Sequence, residues 1–136
     1  MNKGLSIVGS SRNNGEREKD DFYPTPAWAV EELLKREVFT GTIWECACGE
    51  GDISEVFIKN GFQVHSTDLI DRGYGKQEDF FESDYVADNI VTNPPYKLAL
   101  EFVLKCKQQS RNKIAMFLKT VWLESDSRYE MFQDKG

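Results

Sequence analysis

The chain has 136 residues, of which 40% are apolar and 29% are charged, and its formal net charge at pH 7 is −6. This length predicts one domain with a core of its own. The apolar runs are far too short to span a bilayer, so we expect no membrane association. The acidic balance argues against a free-standing protein that binds nucleic acid tightly through phosphate contacts, but it does not exclude an enzyme with a local basic face.

The start of the chain and its cysteines narrow the setting. Residues 1–20 are polar and show no usable period, so we expect a flexible polar arm. The first five residues lack the apolar core of a secretory signal, which makes a cytoplasmic protein the default expectation. With a single histidine in the chain, Cys46, Cys48 and Cys106 offer too few partners for a zinc site. We predict reduced core cysteines and no metal.

The ordered part is expected to begin at residues 21–26, Asp-Phe-Tyr-Pro-Thr-Pro. Pro26 suits the first turn of a helix and Thr25 its N-cap. The helix should cover about residues 27–37, with an apolar stripe of Trp28, Val30, Leu33, Leu34 and Val38. Thr25 and the unpaired amides at this helix entry can also hold a carboxylate.

A strand, a glycine loop and a helix follow. Residues 42–45 predict a short strand that runs into small residues and Gly49-Glu50-Gly51, and Gly61 ends the next helix. Small residues let the backbone approach a ligand at the carboxyl end of a strand. A second strand, residues 63–68, ends on Asp68, roughly twenty residues after the loop, where doubly wound nucleotide-binding folds place a carboxylate on ribose hydroxyls.

Asp79 and Phe80 come just before the next strand. A carboxylate that accepts from an adenine amino group, beside a ring that stacks on the base, would suit a cofactor that contains adenosine. Aromatic pairs are more often core residues, and that alternative stays open.

The stretch Asn93-Pro94-Pro95-Tyr96 ends a β-prone run that includes Ile90 and Val91. On its own, Pro-Pro predicts only a turn that stops a strand. However, the Asn93 side-chain oxygen and the Pro94 carbonyl are both acceptors and could hold an amino group by its two hydrogens. Tyr96 would then stack on the planar group that carries the amine. This arrangement favours methyl transfer to an exocyclic amine, with orientation and fixed dipoles supplying most of the catalysis.

Helical spacing follows Tyr96, residues 113–118 predict another buried strand, and a last helix is expected around residues 127–132. The alternation of strands and helices predicts a doubly wound, mostly parallel α/β sheet of the Rossmann-like class.

These motifs together resemble the S-adenosylmethionine-dependent amino-methyltransferases, and most of all the small phage- and prophage-type adenine-N6 DNA methyltransferases. The resemblance covers residues from about 21 to 132 and implies a methyltransferase domain over residues 21–136. Its cofactor half would be about residues 21–82 and its catalytic half about residues 83–136. The Asn-Pro-Pro-Tyr motif is specific for methyl transfer to a nitrogen on a planar system, and less specific for the substrate.

The resemblance also implies roles for single residues. Thr25 and its neighbours Tyr23 and Pro24 would bind the methionine end of S-adenosylmethionine, with Asp68 on the ribose hydroxyls. Asp79 and Phe80 would hold the adenine ring. The catalytic set that orients the target amine would be Asn93, Pro94, Pro95 and Tyr96. The methionine and ribose would be lined by Glu45, Ala47, Gly49 and Gly51, and the charges of Glu45 and Asp68 would surround the cationic cofactor.

One departure from the family and two alternatives bear on function. The family's sheet has seven strands and this sequence offers about five, so we expect a sheet that lacks its last strands. The strand at residues 113–118 would then have a bare edge, open to a second copy or a partner. DNA is the expected substrate. The alternatives are methylation of ribosomal RNA or of a protein glutamine, and a degenerate domain that binds the cofactor without turnover.

Overall fold

A computed structural model describes the backbone of residues 4–10 and 23–119 and the side chains of residues 23–118. Three helices are described: α1 (Ala27–Arg36), α2 (Asp52–Lys59) and α3 (Ala99–Gln109). Short 3₁₀ turns cover Phe80–Glu82 and Tyr96–Leu98. The strands are β1 (Gly4–Ser10), β2 (Ile43–Glu45), β3 (Val64–Asp68), β4 (Lys76–Gln77), β5 (Ala87–Thr92) and β6 (Ser110–Lys119).

The described strands form one sheet in the order β1-β6-β5-β2-β3-β4, and every neighbouring pair is parallel. The predicted parallel α/β sheet is therefore confirmed, and its architecture is compatible with a Rossmann-like fold. Because all pairs are parallel, the carboxyl ends of β2, β3 and β5 lie at one edge of the sheet.

Two cores lie on the two faces of the sheet. One contains Trp44, Ile90 and Ile114 with Phe102 and other residues of α3. The other contains their strand neighbours, such as Ile43 and Val91, packed against α1 and α2. Successive strand residues point to opposite faces, so helices on both sides bury both sets. Burial of each large side chain contributes roughly 1.5–3 kcal/mol.

The outer side of β6, which was expected to lack a neighbouring strand, is paired. β1 pairs with β6 in parallel from Gly4 opposite Lys113 to Ser10 opposite Lys119. The prediction of a bare β6 edge is therefore wrong, because β1 supplies the missing hydrogen-bonding partner. Residues 4–10 of the expected flexible arm form a strand instead, and the rest of that arm lies outside the described residues. The helix expected around residues 127–132 also lies outside them.

The start of α1 departs from the predicted cap. Pro26 is the N-cap residue and no side chain caps the helix. Val30 and Leu33 are buried as predicted, but 69% of Trp28 and 75% of Val38 are exposed. The apolar stripe is therefore narrower than expected, since Ala29 takes the place of Trp28 in the core. In the part of the chain that is described, no helix combines the length and the apolar character needed to cross a membrane.

Candidate functional site

The site lies where β2, β3 and β5 end side by side. β2 lies between the other two strands, with Ile43 opposite Val64 of β3 and opposite Asn89 of β5. The glycine loop follows β2, Asp68 ends β3, and Asn93 follows β5. The sheet thus brings together the stretches predicted to bind the methyl donor and the methyl acceptor. They lie at the carboxyl ends of the strands, where open α/β sheets bind ligands.

Asp68 holds the glycine loop in place. Its Oδ2 accepts a hydrogen bond of 2.8 Å from the Gly49 backbone amide, and its Oδ1 accepts one of 2.9 Å from the Ile70 amide. The Cys48 amide also donates to the Thr67 carbonyl at 2.9 Å. Each carboxylate oxygen has a second acceptor position, and the side chain is half-buried. An acceptor pair beside a glycine backbone fits a ligand that carries hydroxyl groups, such as the ribose of S-adenosylmethionine.

Glu45 is the last residue of β2, just before the same loop, and is 2% exposed. Its Oε1 accepts a hydrogen bond of 2.9 Å from the Ser54 amide, and it also accepts from the Ser54 hydroxyl. Burial raises the pKa of this carboxyl to about 8. The predicted negative charge is therefore mostly absent near pH 7, because removal from water disfavours the ionised form.

Ser54 was missed by the sequence reasoning. Its hydroxyl lies 2.7 Å from the Ser66 hydroxyl and thereby links α2 to β3. The signal was a serine in the first turn of the helix that follows the glycine loop, after a strand that ends on an acid. Helix N-terminal amides lack intrahelical partners and attract such a carboxylate.

Tyr74 is a second residue that was missed. A Cβ atom at Gly51 would lie 2.6 Å from the Tyr74 ring, so this ring packs directly on the glycine. The Tyr74 hydroxyl donates a hydrogen bond of 2.6 Å to Glu55 Oε2 on α2. Gly51 itself has φ of 92°, a left-handed backbone conformation that is unfavourable for any residue with a Cβ atom. Tyr74 therefore forms one wall of the glycine loop, and only glycine fits beneath it.

Asn93 begins the turn from Asn93 to Tyr96, which is called the acceptor turn after its predicted role, and hydrogen bonds hold its side chain. Its Nδ2 donates to the Tyr23 carbonyl and to the Thr25 hydroxyl, with a distance of 2.9 Å in each case. Pro94 is buried, and the Pro95 carbonyl accepts from the Leu98 amide at 2.9 Å to close the turn. The suggested role of the Pro94 carbonyl as a second acceptor stays a prediction.

Tyr23 and Thr25 meet the acceptor turn. The ring of Tyr23 stacks on that of Tyr96, with centroids 5.2 Å apart and planes 24° apart. Thr25 is 7% exposed, and burial raises the pKa of Asp52, the first residue of α2, while the nearby Thr25 backbone lowers it. The predicted N-cap role of Thr25 is wrong because Pro26 occupies the N-cap position and no side chain caps α1; the Thr25 hydroxyl instead accepts from Asn93. The proposed contacts of Tyr23, Pro24 and Thr25 with methionine stay predictions.

The remaining predicted residues differ in position. Asp79 accepts a hydrogen bond of 3.0 Å from the Phe81 amide and caps the 3₁₀ turn. Phe80 is 2% exposed and its ring stacks on Phe102 at 4.8 Å, so the structure gives this ring a packing role. The role of both residues at an adenine stays a prediction. Ala47 is partly buried and packs against the α3-side core.

The cysteines are free and buried, as the sequence predicts. Among the described residues, no group of three or more histidine, cysteine, aspartate or glutamate side chains could hold a metal ion. Comparisons of the chain with family models, with curated proteins and with solved structures found no match. The functional assignment therefore rests on the geometry of this site and on the motifs that form it.

Proposed function

We propose that this protein transfers a methyl group from S-adenosylmethionine to an exocyclic amino nitrogen, with adenine N6 in DNA as the substrate. The observation that carries the proposal is the position of Asn93. It follows β5, next to β2 and its glycine loop, and its amide is held by two hydrogen bonds at the same edge of the sheet.

The donor half of the proposed site is the glycine loop with the residues around it. Gly49 and Gly51 would allow close approach of the backbone, and Asp68 would accept from ribose hydroxyls. When bound, S-adenosylmethionine supplies an electrophilic methyl group on a sulfonium centre. Glu45, with its raised pKa of about 8, would respond to such a cation by losing its proton.

The acceptor half is the turn from Asn93 to Tyr96. The Asn93 Oδ1 would accept a hydrogen from the target amine and so orient the nitrogen lone pair. Tyr96 would supply an aromatic surface for a planar base, an interaction worth about 1–3 kcal/mol for a base stacked on an aromatic ring. Neither role needs a strong base, because orientation contributes most of the rate.

The choice of DNA over other methyl acceptors rests on the resemblance. The net charge of −6 does not favour binding to any nucleic acid. The experiment therefore compares acceptors directly. The full chain is incubated with methyl-labelled donor and, in parallel, with unmethylated DNA, ribosomal RNA and a glutamine-containing protein extract. We expect label in DNA, recovered as N6-methyladenine. Label in RNA or in protein would replace the substrate assignment, and donor binding without any transfer would indicate a degenerate domain.

A further inference from the structure

The segment from Tyr23 to Thr25 has a contact pattern that the proposed function does not explain. Both of its polar contacts with Asn93 use a single nitrogen atom, Nδ2, which carries two hydrogens. The Tyr23 partner is a backbone carbonyl, and a carbonyl can only accept. The amide group of Asn93 therefore has one chemically permitted orientation, with nitrogen toward residues 23–25 and oxygen Oδ1 toward the other side.

We propose that Thr25 and the Tyr23 carbonyl act as a positioning device that fixes the acceptor oxygen of Asn93 toward the substrate amine. This inference rests on the proposed function for its catalytic consequence. With both hydrogens of Nδ2 engaged, Oδ1 is the group of this side chain that meets a substrate. If the Asn93 amide were flipped, its NH₂ group would face the substrate amine. That amine cannot accept a hydrogen bond once its lone pair points toward the methyl group of the cofactor.

Thr25 is well placed for this task because it is itself held. It is 7% exposed, and its backbone lies close enough to the Asp52 carboxyl, at the start of α2, to lower the pKa of that group against the larger raising effect of burial. On the other side, the Tyr23 ring stacks on Tyr96. The segment therefore connects the helix that follows the glycine loop with both polar and aromatic members of the acceptor turn. A rigid support of this kind is what holds a reacting group in the productive geometry.

The arrangement also predicts that the amide at position 93 cannot be exchanged for a carboxylate. An aspartate has the same shape and stronger acceptors, so a site that needed only an acceptor would tolerate Asn93→Asp. Here an aspartate would bring an oxygen against the Tyr23 carbonyl, and two acceptors facing one another repel. The Thr25 hydroxyl could turn to donate, but the carbonyl could not.

The test compares Thr25→Val with Thr25→Ser. Valine keeps the shape of threonine but removes the oxygen, whereas serine keeps the oxygen. At saturating donor, we expect Thr25→Val to lower kcat by roughly 100-fold, the cost typical of a misplaced reacting group. The Kd for S-adenosylmethionine, measured by calorimetry, separates this role from the predicted contact of Thr25 with methionine, because loss of that contact raises the Kd, whereas kcat at saturating donor reports the positioning of Asn93. Thr25→Ser should retain kcat, and Asn93→Asp should lose it.

A second readout needs no turnover. In NMR spectra, the Asn93 side-chain NH₂ protons should exchange slowly with solvent in the unmodified protein and in Thr25→Ser, and faster in Thr25→Val. Rapid exchange in the unmodified protein would overturn the positioning role even if a variant failed to fold. Transfer by Thr25→Val at the unmodified rate would also overturn it while leaving the proposed function intact. Slow exchange without transfer to any acceptor would refute the proposed function and leave the orientation of the amide established.

Discussion

The side-chain nitrogen of Asn93 donates a hydrogen bond of 2.9 Å to the hydroxyl of Thr25, 68 residues earlier in the chain. This contact joins the end of a buried strand to the entry of α1. It turns a threonine that has the sequence position of a helix cap into part of the candidate site. The chemistry proposed for the acceptor turn depends on this relationship, because it leaves the Asn93 oxygen as an acceptor.

The first prediction concerns Asn93 itself. Asn93→Ala removes the proposed acceptor and should lower methyl transfer at least about 100-fold, as loss of a single preorganised polar group does in other enzymes. Binding of S-adenosylmethionine should change much less than transfer, since the proposed contacts of Asp68 and the glycine loop with the donor do not involve Asn93. Steady-state transfer assays and calorimetry measure the two quantities.

Asn60→Ala is the matched control for this variant. The Asn60 amide also donates to a backbone carbonyl, that of Val56 at 2.8 Å, but it lies at the exposed end of α2. Its removal should leave transfer unchanged. Equal losses in the two variants would contradict a specific role for Asn93.

The second prediction concerns the glycine loop. Gly51→Ala should lower the free energy of unfolding by more than Gly61→Ala, although both glycines have φ near 90°. Left-handed backbone costs a non-glycine residue roughly 1–2 kcal/mol at either position. At Gly51 the new methyl group would in addition meet the Tyr74 ring, whereas at Gly61 no atom lies within 4 Å. Urea unfolding monitored by circular dichroism measures both.

A double variant isolates the contribution of the ring. In Gly51→Ala combined with Tyr74→Ala, the second change should cost less than Tyr74→Ala alone, because it relieves the clash. Strictly additive losses would show that Tyr74 does not pack on Gly51 in solution.

The third prediction follows from the raised pKa of Glu45. Its usual value of 4.5 rises to about 8 in the folded protein, so between these pH values the folded state holds a proton that the unfolded state has lost. The stabilisation from this protonated carboxyl is complete below pH 4.5 and disappears as the pH rises toward 8. Between pH 5 and 7 the loss is on the order of 3 kcal/mol.

Glu45→Gln tests this prediction because glutamine stays neutral and can still accept from the Ser54 amide. The variant should unfold at higher urea concentration than the unmodified protein at pH 8, and its stability should change less with pH. Glu101→Gln, on the exposed face of α3, is the control and should retain the original pH dependence. A pH profile that Glu45→Gln leaves unaltered would contradict the raised pKa.

The fourth prediction concerns the pairing of β1 with β6. In a strand at the edge of a sheet, alternate backbone amides point toward the neighbouring strand. Of the two variants Ile7→Pro and Val8→Pro, one should therefore remove a hydrogen bond to β6 and the other should not. The disruptive variant should lose on the order of 1–3 kcal/mol and expose the edge of β6.

Hydrogen exchange at the consecutive residues Ala115 and Met116, whose amides face opposite neighbours of β6, measures these effects together with sedimentation. Faster exchange and concentration-dependent association should appear in one proline variant and not in the other. If neither variant changes exchange in β6, then β1 does not occupy this edge.

The sequence predicted the strands where local signals are strong. The β-prone run at Ile90 and Val91 lies in β5, and the glycines and Asp68 lie where the βα pattern puts them. Such runs carry their information locally, in side-chain volume and in period. The place at which open α/β sheets generally bind ligands, outside the carboxyl ends of the strands, then follows from topology alone.

Three features could not be predicted, each for a physical reason. β1 mixes apolar residues with glycine and serine, and its partner strand begins about one hundred residues later, so its pairing is set by tertiary contact. Thr25 had a local signal for a helix cap, but a distant amide competed for its hydroxyl. The pKa of Glu45 is raised by its burial in the folded protein, and no local sequence pattern predicts that burial.

The proposed reaction at this site is methylation of an exocyclic amine of adenine. Mass spectrometry of DNA from cells that express the protein, compared with cells that express Asn93→Ala, tests it most directly. We expect N6-methyladenine in DNA from the first cells and background levels from the second. Equal N6-methyladenine in both, or none above background in either, would contradict it.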